Sequence, residues 1–273
     1  MRRRRFADQQ SVSQLPRVVD PPEEVFNRYF VDRGAPVVLV GSRMFGDRPL
    51  TLDDIIQRCA DGIEVKVRTG YYLDPARREL HKMQLGDYLE KHVLPPTRGG
   101  TEPAPDCLPP YTVNTSISMN DFRKLGLSDP FLFDGKTFES PRLWLGPKGS
   151  LTRLHYDSRD NLMYQLVGSK RFLLYPPSQI RWLYTYGYAP TWSHVHDPRQ
   201  PDLDAFPLFA RASPIELTLK AGEILYLPAR WSHFVQNADV SVMFNFWTER
   251  TPMERMKFAA FNFGQRIFGA SGA

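Results

Sequence analysis

Cysteine is scarce: Cys59 and Cys107 are the only two in 273 residues, with no CxxC spacing. That excludes a disulfide framework and a thiolate zinc site, and reduced thiols in a cytoplasmic protein are the simplest account. Long apolar runs are also missing. Nothing approaches the ~20 residues of a membrane span, so no membrane partner is expected. The opening Met1-Arg2-Arg3-Arg4-Arg5-Phe6 is basic but has no apolar segment behind it, which argues against a secretory signal and for a basic flexible tail over residues 1–15. Charge of one sign does not dominate either. The 35 basic and 30 acidic residues leave a net charge of +5, and four of the basic residues are Arg2 to Arg5. The body shows no Lys/Arg stripe interleaved with aromatics, so no nucleic-acid partner is expected. A mildly acidic peptide would be electrostatically acceptable. No internal repeat is visible.

What remains has the length for one large domain or one plus a small appendage. The amino-terminal third reads as mixed α/β. Helical patterns fall at residues 22–30, at Leu52 to Cys59 behind a Thr51 N-cap, and at Gln84 to His92; strands fall at Ala35 to Val40 and Ile63 to Arg68. His81 and His92 lie in this region and read as surface residues. Residues 95–110 form a loop rich in Pro, Gly and Thr. Beyond it come short strands punctuated by Gly and Pro, as expected of a β-sandwich or barrel. Asn161 to Val167, a Gly168-Ser169 turn and Lys170 to Tyr175 read as a hairpin. Leu217 to Leu219, Ile224 to Leu227 and Val240 to Trp247 supply further strands, and Trp144 reads as a strand residue facing the barrel.

The chemistry concentrates in three residues. His155 and Asp157 are two positions apart in Thr152-Arg153-Leu154-His155-Tyr156-Asp157, so an extended chain sends both to one face. His233 follows 76 residues after Asp157, behind the Ala229-Arg230-Trp231-Ser232 turn. Two imidazoles and one carboxylate leave three positions of an octahedral ion open on one side, the arrangement of non-haem iron(II) oxygenases. The bland alternative is a His and an Asp at a strand end, hydrogen-bonded to each other or to backbone. Lys170 opens the returning strand of the expected hairpin. It is either a solvent-facing lysine at the turn or, if buried, an ammonium that needs an anion.

Longer words join these residues: Gly149 to Asp157, Asn161, Gly168-Ser169-Lys170-Arg171, Tyr175-Pro176-Pro177, Gly222-Glu223, Trp231-Ser232-His233 and Asn245-Phe246-Trp247. In these words, over about residues 140–250, the chain resembles the JmjC/cupin-like 2-oxoglutarate-dependent oxygenases, most closely the branch of the asparaginyl hydroxylase factor inhibiting HIF. The resemblance implies a mainly β fold: a double-stranded β-helix (jelly-roll) core with a flanking α/β amino-terminal region and a carboxy-terminal helix. It implies that His155, Asp157 and His233 bind Fe(II), that Lys170 and Thr152 meet the distal carboxylate of 2-oxoglutarate with Tyr111 as third partner, and that Asn161 and Asn245 line the same pocket. Trp231 and Trp247 are expected to be core aromatics. With a carboxylate among the ligands, hydroxylation is expected over halogenation, with O₂ as the oxidant.

Domain limits follow: tail 1–15, oxygenase domain 16–250 with its core at about 140–250, and helix 251–273. An insert at 178–213 carries Trp182, Tyr184, Tyr186, Tyr188 and Trp192, and reads as a lid over substrate, with a packing flap as the other reading. His194 and His196 in it read as lid or surface residues. The last segment has an apolar stripe of Met253, Met256, Ala260, Phe263 and Ile267, suited equally to docking on its own domain or to a homodimer. The expected activity is hydroxylation of a protein or peptide side chain. The same chemistry on an amino acid or biosynthetic intermediate and a non-catalytic cupin-like binding protein are the alternatives.

Overall fold

A computed structural model of the chain describes residues 14–42, 45, 49–59, 62–70, 78–94, 108–130, 136–185 and 191–268. Arg2 to Arg5, Cys107, Tyr186 and Tyr188 lie outside these. Among the described residues the strands are β1 (Arg17–Val19), β2 (Val37–Val40), β3 (Glu64–Gly70), β4 (Arg78–Gln84), β5 (Tyr111–Thr112), β6 (Thr115–Ser116), β7 (Arg142–Gly146), β8 (Leu151–Tyr156), β9 (Asn161–Val167), β10 (Ser169–Tyr175), β11 (Ile215–Lys220), β12 (Glu223–Leu227), β13 (Ser232–Asn237) and β14 (Ser241–Trp247). The helices are α1 (Glu23–Phe26), extended by a wider turn to Val31, α2 (Leu52–Cys59), α3 (Leu85–Tyr88), likewise extended to Val93, α4 (Met119–Lys124) and α5 (Pro252–Phe268).

Two sheets make the core. One runs β1-β2-β12-β9-β14-β7-β6 and the other β11-β10-β13-β8; a third, three-stranded sheet runs β4-β3-β5 and adds Val65 and Val67 to the core. The mostly β architecture is that of a jelly roll. Strand period sorts the residues. On β14, Val242, Phe244 and Phe246 join a cluster with Phe26, Ile55, Tyr88 and Phe122 on the helical side of the large sheet. Met243, between them, joins Val38, Met163, Phe172, Leu225 and Val235 in a cluster between the two sheets. Asn245 and Trp247 share the parity of Met243 and so face inward with it. Because both faces of the large sheet are covered, β9 and β14 are buried almost end to end.

Most expected elements form where the pattern puts them. Thr51 caps α2, its Oγ1 accepting from the Asp54 amide at 3.2 Å while Asp54 Oδ2 accepts from the Thr51 amide at 2.8 Å. The hairpin does not form. β9 and β10 flank the Gly168-Ser169 turn but belong to different sheets: β9 pairs with β12 and β14, β10 with β11 and β13. Gly168 makes the crossing with φ +67°, and a Cβ there would lie 2.0 Å from the Val240 carbonyl oxygen. Apolar alternation specifies a strand and its buried face, but it does not name the partner strand. β4 has no counterpart in the sequence reading, because Arg-Glu-Leu-His-Lys-Met-Gln shows no apolar alternation; it forms by pairing along β3. Trp144 lies on β7 as expected.

The insert packs back on the core. Tyr156 donates its amide to the Thr191 carbonyl and Ser193 donates to Leu154, both at 3.0 Å, so residues 191–193 cover the free edge of β8. Leu183, Tyr184, Val195 and Phe209 are buried with Leu154 and Phe234 on the outer face of the four-stranded sheet. At the carboxy-terminal end, Phe258 and Phe261 of α5 pack edge-on against Tyr156, and Tyr156 donates to Asn262 Oδ1 at 3.1 Å. Among the described residues no helix is long and apolar enough to cross a membrane.

Candidate metal centre

His155 and His233 face each other as direct register partners on β8 and β13, and Asp157 follows just past the end of β8. Each residue offers a ligand atom within 4.8 Å of the others, the sole such group of three among the described residues. His155 Nε2 lies 3.9 Å from Asp157 Oδ1, and His233 Nε2 lies 4.0 Å from Asp157 Oδ2. The opposite ring nitrogens are tied to backbone. His155 Nδ1 is 2.8 Å from the Arg153 carbonyl and His233 Nδ1 is 3.1 Å from the Trp231 carbonyl. A carbonyl can only accept, so each Nδ1 carries the proton and each Nε2 lone pair points at the cluster, as metal-ligating histidines require. Burial first, and the neighbouring His233 second, push His155 down to about 4. The imidazole is therefore neutral at pH 7, the form that binds a metal ion.

Register explains why Thr152 joins them. Thr152 and His155 are three apart, so a regular strand would send them to opposite faces. Across β13, however, the partners of His233 and Val235 are His155 and Thr152, so β8 carries one residue more than its neighbour. That bulge inverts the parity between them. Its Arg153 carbonyl is the one holding His155.

Tyr111, Thr152, His155, Asp157, His233 and Asn245 line one pocket of about 310 Å³, walled also by Trp144, Met163, Val235, Met243 and Trp247. Lys170 stands behind it. It is completely buried, donating to Tyr111 Oη at 2.9 Å and to Asn237 Oδ1 at 2.5 Å. Both partners are neutral, and burial alone pushes its ammonium down to about 7. Of the two readings the sequence left open for Lys170, the buried one holds. Asn161 does not line the pocket. It shares the inward parity of Met163 on β9 and is buried; among the described residues neither its Oδ1 nor its Nδ2 has a hydrogen-bond partner, and nor has the Asn245 Oδ1. Such atoms are costly to bury dry. Among the described residues the Lys170 ammonium has no anionic partner, and with the unmatched Asn245 oxygen it fits a pocket built to receive a polar, anionic guest.

Three contributors were missed in the sequence. Trp247 is buried as expected, yet its Nε1 donates to Asp157 Oδ2 at 2.9 Å, fixing the carboxylate. Asn237 holds the Lys170 ammonium and anchors itself by donating to the carbonyls of Gly146 and Pro147. Both were open to parity: Trp247 is two past Asn245, and Asn237 four past His233. Trp192, from the insert, stacks on the His155 ring with centroids 4.4 Å apart and planes at 14°, and no local pattern announces that. Trp231, by contrast, is purely structural, donating to the Gly34 carbonyl at 3.0 Å. His194 and His196 are exposed, His81 bonds Glu79, and His92 lies tilted against the Tyr88 ring.

Residues 22–253 match the family described as cupin-like domain. The chain belongs to that family. Its relatives include tRNA wybutosine-synthesizing protein 5 of Homo sapiens, 35% identical over 213 residues that cover 78% of this chain and 59% of the relative. Lysine-specific demethylase 8 of Xenopus tropicalis is 28% identical over 244 residues, covering 87% and 53%. The bifunctional peptidase and (3S)-lysyl hydroxylase JMJD7 of Homo sapiens is 32% identical over 161 residues, half of each chain. The chain thus spans between half and three-fifths of the length of these relatives. JmjC-type cupins are oxygenases that use Fe(II) and 2-oxoglutarate with O₂, and this chain has the His–Asp–His group that such a metal needs.

Proposed function

We propose that this chain is an Fe(II)/2-oxoglutarate-dependent hydroxylase acting on an unactivated C–H bond of a protein or peptide side chain. The observation that carries the reading is Lys170: a completely buried ammonium, held by two neutral groups, one of which lines the pocket that holds the His–Asp–His group. A binding protein or scaffold gains nothing from that costly arrangement, whereas a dicarboxylate with one end at the metal needs a cation at the other.

His155, Asp157 and His233 would hold the iron, Trp247 would fix the carboxylate, and the backbone carbonyls of Arg153 and Trp231 would hold the imidazoles in the ligating tautomer. Lys170, Tyr111 and Thr152 would bind the distal carboxylate of 2-oxoglutarate, with Asn245 supplying a polar contact along the pocket. When bound, the iron, 2-oxoglutarate and O₂ supply the oxidising chemistry, with succinate and CO₂ as coproducts. The apolar walls Met163, Val235 and Met243 exclude water from that chemistry, and Trp192 would seal its His155 side from the insert.

The affinity to the asparaginyl-hydroxylase branch rests on the sequence words around Thr152, Lys170 and Asn245. A relative named as a lysyl hydroxylase supports a side-chain substrate, while one named for tRNA wybutosine synthesis makes RNA the competing class. Met253, Met256 and Phe263, exposed on α5, would serve a homodimer. The deciding experiment follows succinate formed from 2-oxoglutarate with Fe(II), ascorbate and O₂ for the wild type, His155→Ala and Asp157→Ala. Turnover abolished by both substitutions is expected. No turnover, with no calorimetric binding of 2-oxoglutarate to Mn(II)-loaded protein, would refute the reading.

A further inference from the structure

A second pocket, of about 660 Å³, adjoins the metal centre. Its walls continue the same three segments: Ser158 to Asp160 directly follow Asp157, Ala229 and Arg230 lead to His233, and Thr248 follows Trp247; α5 closes it with Lys257, Phe258 and Phe261. Five cationic side chains line it, against two carboxylates, and both carboxylates are already committed. Asp160 accepts from Lys136 at 2.8 Å and from the Ala229 amide at 2.9 Å. Glu254 accepts from the Thr251 amide and hydroxyl. Arg159 is paired with Glu139. Arg230, Arg250 and Lys257 are left, with no ion pair among the described residues.

The cations are placed with care. Arg230 has φ +68°, left-handed backbone that costs a long side chain on the order of 1 kcal/mol, and its amide donates to the Asp157 carbonyl at 2.8 Å. The bend beside the metal ligand thus sets where this guanidinium stands. Partial burial, then the like charges of Arg159 and Arg255, hold Arg250 below its ordinary value. The neighbouring rings are occupied: Arg230 lies over Phe261 at 5.5 Å, Arg250 over Phe258 at 5.8 Å and Arg159 over Trp247 at 5.5 Å. A guanidinium braced on a ring face presents its N–H edge outward, the geometry that grips a carboxylate. The same bracing covers the aromatic faces on which a nucleobase would stack.

We propose that this pocket seats an aspartate or glutamate side chain of a peptide substrate, within a few positions of the residue presented to the metal. The spacing follows from the wall, which begins one residue, ~3.8 Å of chain, past the ligand Asp157. The position relative to the modified residue rests on the hydroxylase reading; the anion preference does not.

The test uses the full chain and fluorescence anisotropy, so no turnover is needed. The probes are a labelled dodecapeptide bearing three glutamates, the same peptide with glutamines, and a twelve-nucleotide oligouridine. The glutamate peptide is expected to bind at least tenfold more tightly than the glutamine one. Arg250→Gln and Lys257→Glu are each expected to weaken it at least fivefold; Lys257 is exposed on α5, so that variant puts folding at little risk. Asp157→Ala is expected to leave binding intact, which separates failure of this proposal from failure of the oxygenase reading. Equal affinity for the two peptides, or unchanged binding in both charge variants, would overturn it. Tighter binding of oligouridine, lost in the same variants, would overturn it in favour of RNA.

Discussion

Lys170 makes the proposed cosubstrate site measurable without turnover. Its ammonium, at an ordinary 10.5 in the unfolded chain, is pushed by burial to about 7 in the folded one. Because the folded value is the lower, the unfolded chain binds more protons between these two values, and stability rises with pH across that window. The slope is at most about 1.4 kcal/mol per pH unit and the total at most about 5 kcal/mol, with no contribution to the slope below pH 7. An anion brought against the ammonium restores its proton, so 2-oxoglutarate binding above pH 7 must take one up. Affinity is then full below pH 7 and falls up to tenfold per pH unit above it. Calorimetry of Mn(II)-loaded protein at pH 6–9, in buffers of different ionisation enthalpy, reads that proton directly: uptake near zero at about pH 6 and approaching one at about pH 8.5. Lys170→Met removes the proton and the carboxylate partner together. It should weaken 2-oxoglutarate binding by at least thirtyfold, the low end of what removing one partner of a buried charge pair costs, about 2 kcal/mol. It should also flatten both pH profiles. Zero uptake by the wild type at pH 8.5, or an unchanged slope in Lys170→Met, would refute the reasoning.

Three further outcomes follow from the geometry. In Gly146→Ala the new Cβ would lie 2.6 Å from Tyr111 Cδ2 and 2.8 Å from Ser150 Oγ; a loss of about 1–3 kcal/mol in denaturant unfolding is expected, with weaker 2-oxoglutarate binding because Tyr111 must move away from Lys170. Trp247→Phe keeps the ring and deletes the N–H on Asp157, so Co(II) titrated by its visible absorption should bind about 10–100-fold more weakly, with a near-native thermal midpoint. Trp192→Leu removes the ring stacked on His155, worth about 0.5–1.5 kcal/mol, and should weaken Co(II) by roughly two- to twelvefold; no change would reduce Trp192 to a cover for the β8 edge.

Much of the site was legible because period-2 parity carries information over a whole strand. Once β14 is a strand with Phe244 and Phe246 on one face, Asn245 and Trp247 must share the other, and the same holds for His233 and Asn237 on β13. His155 and Asp157 were readable on the same ground. Pairing between strands was not. Leu162 to Val167 and Phe172 to Tyr175 look like two arms of a hairpin in any local window, since the turn chemistry of Gly168 is the same whether the chain folds back on itself or crosses to the opposite sheet. What decides is the close approach of the Val240 carbonyl to Gly168, a contact more than seventy residues away in sequence.

The bulge in β8 shows most clearly where a local reading ends. Parity alone sets Thr152 opposite His155, and only kinship of sequence words put them in one site. The fold reconciles the two by fitting Thr152 to His155 against Val235 to His233, three steps against two. The inserted residue turns Thr152 into the pocket that Tyr111 and His155 also line, and it frees the Arg153 carbonyl to hold His155 Nδ1. One irregularity therefore positions both a proposed metal ligand and a proposed cosubstrate contact. A regular β8, made by deleting one residue between Thr152 and His155, should keep the strand and lose the site. Co(II) and 2-oxoglutarate binding would vanish together, while a far-ultraviolet spectrum of native shape survived. Retention of either ligand by that variant would show that the bulge is incidental.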